Sequence, residues 1–113
     1  FNPDEYKIQR IYAKTANGIN VPISLFYKKE ALQSGTAPML LTGYGAYGVP
    51  YECGFMPHLL PLINRGFIFA IAHVRGGGEY GPGWYDQGRL RQKINTFTDF
   101  IACAEHLIEN QYT

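Results

Sequence analysis

Serine is scarce in this chain: of its 113 residues only Ser24 and Ser34 carry it. Neither lies in a G-x-S-x-G segment, the sharp strand-to-helix turn that exposes a nucleophilic serine. Cysteine is as rare. Cys53 and Cys103 form no CxxC, and Cys103 with His106 falls short of a four-ligand zinc site. Nothing asks for a disulfide, so both read as free thiols of a reducing compartment. No apolar run approaches the roughly 20 residues of a membrane span. Phe1 to Tyr6 carries charges and a proline rather than an apolar signal core. The start without methionine fits a chain cut from something larger. Neither charge sign dominates: ten basic and nine acidic side chains leave a net +1. That balance gives no electrostatic case for nucleic acid or an anionic membrane.

What is present is apolar and aromatic, 46% and 15% of the residues, enough for a core. Ile8 to Thr15 half-alternates as a strand. Asn17-Gly18 follows as a hairpin turn, since both residues tolerate positive φ. Val21 to Tyr27 reads as the second strand, with Val21, Ile23, Leu25 and Tyr27 on one face. Pro22 removes a ladder donor and predicts a position toward a sheet edge. Lys28 to Ala37 is a polar connection. Pro38 to Thr42 is a short apolar run, the signature of a strand buried on both faces.

A glycine- and tyrosine-rich loop, Gly43 to Pro50, comes next. Phe55 to Arg65 predicts a short helix, weakened by Pro61 and stopped by Gly66. Phe67 to Val74 is the strongest strand, leading into a second glycine loop from Arg75 to Gly81. Gly81 to Gly88 is loop or short helix around Trp84. The last element is a helix from about Thr96 to Asn110, with Thr96 and Asp99 as a capping pair. Phe97, Phe100, Ile101, Ala104, Leu107 and Ile108 form its apolar arc, with Asp99, His106 and Glu109 opposite. Buried strands alternating with helices argue for an α/β domain. An antiparallel hairpin ahead of the first βαβ unit is the arrangement of the α/β-hydrolase fold. Residues 1–113 are read as the N-terminal portion of such a catalytic domain, ending before the nucleophile turn.

In such sheets chemistry gathers beyond the C-terminal ends of the strands. Gly43-x-Gly45-x-x-Gly48 matches the dinucleotide fingerprint in letters only. Val49-Pro50-Tyr51 follows where a helix should open, and no ribose-binding acid ends the next strand. The loop could equally be half of an oxyanion hole or a tight turn with two packing tyrosines; the residues alone leave both open. Arg75 to Glu79 reads first as a structural loop with Arg75 and Glu79 in ion pairs. His73 reads as a hydrogen-bonded structural histidine, His106 as solvated, Asp86 as a turn residue, and Trp84 and Tyr85 as packing. His58, His73 and His106 lack a nucleophile at any recognisable spacing.

Several segments together resemble the prolyl oligopeptidase family of serine peptidases, and within it the oligopeptidase B branch. They are Ile11-Tyr12-Ala13 with Val21-Pro22-Ile23-Ser24-Leu25, and the loop Gly43-Tyr44-Gly45-Ala46-Tyr47-Gly48. The run Phe69 to Glu79, and Asn95 to Ile101 with Ala104-Glu105, complete the set. The resemblance implies a cytoplasmic enzyme that hydrolyses short peptides after Arg or Lys through an acyl-enzyme, with no cofactor and no metal. It implies that the Tyr44 hydroxyl helps bind the oxyanion, with Thr42 standing where many relatives have another tyrosine. It places the serine, aspartate and histidine of the triad beyond Thr113. The implied partners are the remainder of a parent chain, namely a β-propeller and the C-terminal half of the hydrolase domain. A binding or regulatory module that kept the fold without the chemistry is the alternative.

Overall fold

In the computed structural model, residues 3–16, 18–33, 37–43, 60–76, 82–88 and 92–113 are described. Strands β1 (Tyr6–Lys14) and β2 (Asn20–Lys28) pair antiparallel throughout, Tyr6 opposite Lys28 and Lys14 opposite Asn20. The hairpin closes one residue wider than the two-residue turn expected at Asn17-Gly18. Thr15 N–H donates to Ile19 O at 2.8 Å and Gly18 N–H to Thr15 O at 2.9 Å, with Gly18 at φ 82°. These bonds close a three-residue loop that ends on a left-handed residue. Glycine adopts that φ without a Cβ penalty. Asn17 lies outside the described residues.

Two further strands complete the sheet, β3 (Met39–Gly43) and β4 (Ile68–Ala72), in the order β1-β2-β4-β3. β4 runs antiparallel to β2 and parallel to β3, with Gly43 opposite Ala72. Pro22 therefore sits in an inner strand, not at the sheet edge. It is tolerated because it falls where the β2–β4 ladder ends. His73 N–H donates to Pro22 O at 2.9 Å, but the proline has no N–H to return. The Trp84 indole N–H supplies the His73 carbonyl instead at 3.3 Å, and reaches Val74 O at 3.0 Å.

All five residues of β4 are buried, as its composition demands. β3 differs from expectation. It is only half-buried, with Leu40 42% exposed, because no strand pairs its outer side among the described residues.

Helices cover both faces of the sheet. On one, α1 (Leu60–Asn64) sets Ile63 against Phe69 and Ile71. The rest of the helix expected from Phe55 lies outside the described residues. Pro61 stands in the first turn, where its missing N–H leaves no bond unmade. Gly66, at φ 93°, ends the helix: its N–H reaches Ile63 O at 3.0 Å and Phe67 N–H reaches Leu62 O at 3.2 Å. That pair of bonds is the Schellman ending. A single turn, α2 (Pro82–Asp86), carries Trp84.

On the other face lies α3 (Ile94–Glu109). Its Cys103 and Leu107 pack with Val21, Ile23, Leu25 and Tyr27 of β2 and Ile68, Ala70 and Ala72 of β4. The inward stripe is Thr96, Asp99, Cys103 and Leu107; of the expected apolar arc Leu107 is buried and Phe100 packs half-buried against the core, while Phe97, Ile101 and Ile108 turn away. The helix is rolled by one residue, about 100°. Phe97, Ile101 and Ile108 of the arc, with Ile94, face outward at 55–63% exposure. Nor do Thr96 and Asp99 cap the helix, which already begins at Ile94. Their polar groups are fully engaged beneath it, and that engagement is what permits the roll. At the chain's end Thr113 Oγ1 donates to Ala37 O at 2.5 Å, beside the start of β3.

Candidate active site

β3 and β4 are parallel, so their C-terminal ends open on the same side of the sheet, the side where the two glycine loops depart. Gly43 closes β3. A Cβ there would stand 3.0 Å from Ala72 O and 3.2 Å from Phe100 Cδ2, so a larger residue would have to push its neighbours back by a few tenths of an ångström. Gly43, Val74, Thr96, Phe97, Phe100 and Ile101 line a cavity of about 280 Å³. Its wall is almost wholly apolar. Tyr44, the residue next to Gly43 and the candidate oxyanion donor, lies outside the described residues. So do Tyr47, the rest of that loop, His58 and Glu79.

The second loop begins from a buried charge pair. Asp99 is fully buried and Arg75 4% exposed. The Arg75 backbone N–H donates to Asp99 Oδ2 at 2.8 Å. Its Nε donates to both carboxylate oxygens, at 3.2 and 3.0 Å, and its Nη2 to Oδ1 at 2.7 Å. A fork of this kind matches guanidinium to carboxylate geometry. The Arg75 carbonyl accepts from Thr96 Oγ1 at 2.6 Å, and that hydroxyl also reaches Gly88 O at 3.2 Å. Gly88 packs against the same peptide: a Cβ there would fall 2.3 Å from Arg75 C, Arg75 O and Gly76 N. Gly76 follows at φ 101°, its N–H donating to Trp84 O at 3.0 Å.

The ion pair expected of Arg75 is thus present, with Asp99 as its partner. Asp99 is no cap or polar-face residue. The T-x-x-D spacing of Thr96 and Asp99 misled because it serves equally a helix N-terminus and a pair of inward residues one turn apart. Sequence reasoning also missed a contact of Ser24. Its Oγ lies 2.8 Å from His73 Nε2, across 49 residues of chain. Both side chains are buried, Ser24 at 6% and His73 at 3% exposure, with no approach for a substrate. The bond therefore ties β2 to the end of β4 and leaves His73 a structural histidine. His106 is half-buried, its Nδ1 3.2 Å from Asn110 Nδ2. Trp84 is the packing residue expected. Burial pushes the Cys103 thiol up to about 12, with Asp99 adding to the effect, so it is no nucleophile at neutral pH.

Comparison with known proteins agrees with this architecture. Residues 53–113 match the prolyl oligopeptidase family. The whole chain is 43% identical to Protease 2 of Moraxella lacunata, over 16% of that protein's length. Oligopeptidase B from Leishmania major superposes on the entire chain at a TM-score of 0.94 and 42% identity, again over 16% of its own length. Oligopeptidase B from Trypanosoma brucei, solved with covalently bound antipain, superposes on 96% of the chain at 0.91 and 48% identity, and is matched over 16% of its length. The chain thus spans about one sixth of these relatives, and across that span it has their α/β arrangement. On its matched residues and its sheet order, the chain belongs to the prolyl oligopeptidase family.

Proposed function

We propose that this chain is the N-terminal portion, residues 1–113, of the α/β-hydrolase domain of a cytoplasmic serine oligopeptidase. The full-length enzyme cleaves short peptides after Arg or Lys through an acyl-enzyme. The observation that carries this reading is the similarity, along the whole chain, to two oligopeptidases B at 42% and 48% identity. The basic-residue preference rests on that branch of the family.

Tyr44 follows Gly43, the last residue of β3, and is the residue assigned to hold the substrate carbonyl. Its phenol donates to the carbonyl oxygen as negative charge develops there, which favours the transition state over bound substrate. The second donor is the N–H after the nucleophilic serine. That serine, with its aspartate and histidine, lies in the C-terminal half of the domain, and a β-propeller restricts access to short peptides. Two features support a larger domain. β3 has an outer side with no partner strand among the described residues, and α3 leaves Ile94, Phe97, Ile101 and Ile108 exposed. Among the described residues no helix is long and apolar enough to cross a membrane.

The test is a panel of fluorogenic peptides with Arg, Lys, Pro or Leu before the scissile bond, turned over by the full-length protein. Hydrolysis confined to Arg and Lys, and blocked by a fluorophosphonate, is the expected result. Selective cleavage after Pro would move the enzyme to the prolyl endopeptidase branch. Absence of both labelling and turnover would favour the silent binding module.

A further inference from the structure

We propose that Arg75 and Asp99 are a positioning pair for the peptidase site: together with Thr96 they fix the main chain where it leaves β4. The inference rests on the peptidase reading above. An ion pair that served packing alone would need only side-chain contacts. Here Asp99 also accepts from the Arg75 backbone N–H at 2.8 Å. The carbonyl of the same residue is taken by Thr96, one turn earlier on α3, at 2.6 Å. Both backbone polar groups of Arg75 are therefore tied to one helix. Gly88 presses on the same peptide from a distance only glycine permits. Gly76, the next residue, is held in turn by the Trp84 carbonyl.

The consequence falls on the end of β3. Val74 precedes Arg75, Gly43 precedes Tyr44, and Val74 and Gly43 line the same cavity with Thr96. Any shift of the Arg75 peptide displaces one loop root against the other. Stability alone gives little reason to keep such a pair, because burying two charges costs about what their attraction returns, and an apolar pair would pack as well. A forked guanidinium on a carboxylate fixes direction as well as distance, which is what a loop root next to a reacting carbonyl needs.

The experiment uses the full-length protein with Arg75→Lys, Asp99→Asn and Thr96→Val. Active sites are titrated with a fluorophosphonate, and kcat per titrated site, KM and Tm are measured. Lysine keeps the charge but cannot make the fork. We expect Arg75→Lys and Asp99→Asn to lower kcat per titrated site by about tenfold to a hundredfold, with KM nearly unchanged. Thr96→Val, which leaves the ion pair intact, should lose several-fold and decides the matter if the other two do not fold. A lowered Tm with wild-type kcat per titrated site would overturn the proposal and leave a stabilising ion pair. A wild-type protein that neither labels nor cleaves peptides would overturn the peptidase reading, and the positioning role with it.

Discussion

The two edges of the sheet are built differently. β1 ends the sheet with a nine-residue strand carrying Lys7, Arg10 and Lys14, side chains that discourage pairing with another chain. β3 ends it with Met39-Leu40-Leu41-Thr42-Gly43, five residues without a charge. The first edge is protected against addition of a strand, while the second has no such protection. The contrast is what the proposed larger domain would produce, with further chain pairing along β3.

The strongest way to break this comparison is catalytic. In the full-length protein Tyr44→Phe should cost on the order of a hundred- to a thousandfold in kcat, roughly 3–4 kcal/mol, with the ring retained. Tyr47→Phe, and Tyr12→Phe on the β1 edge, should stay near wild type. A silent Tyr44→Phe, or an equal loss with Tyr47→Phe, would remove the oxyanion assignment.

Stability sharpens the comparison next. Ile101 and Ile8 are both exposed, at 55% and 64%. If α3 is covered in the full-length protein, Ile101→Ala should cost about 2 kcal/mol or more in denaturant unfolding. Ile8→Ala on the finished edge should stay within about 0.5 kcal/mol. Equal small costs at both sites would mean that α3 faces solvent.

The 113-residue segment alone should show no peptidase activity and should self-associate through β3. Leu40→Lys should shift its sedimentation toward monomer, whereas Ile8→Lys should do little. A segment that is monomeric without substitution and melts cooperatively would contradict the account of the edge.

The smallest effect concerns Cys103. Its folded pKa is raised, so the folded state holds the thiol proton more tightly than the unfolded chain. Its contribution to stability is present at neutral pH and is lost as pH rises from 9.0 toward about 12. Thiol reagents should spare Cys103 at pH 7 and label it on unfolding. Rapid native labelling would show that α3 opens from the sheet.

Periodicity and turn chemistry were enough to locate the four strands and the glycine that ends α1. Ile68 to Ala72 can be little other than a buried strand, and Gly66 is where a helix must stop. These are local properties, set by side-chain shape and φ preference within a few residues. The inward face of α3 was not local. The apolar arc and the observed face differ by one residue, and Arg75 decides between them from 24 residues away. The Ser24–His73 bond and the exchange of a proline N–H for the Trp84 indole were likewise invisible along the chain. Local residue patterns carried the strands, the last helix and the family resemblance. Only the tertiary structure decided where the polar groups Asp99, Thr96 and Ser24 are buried, because burying them requires partners that the sheet alone brings within hydrogen-bonding distance.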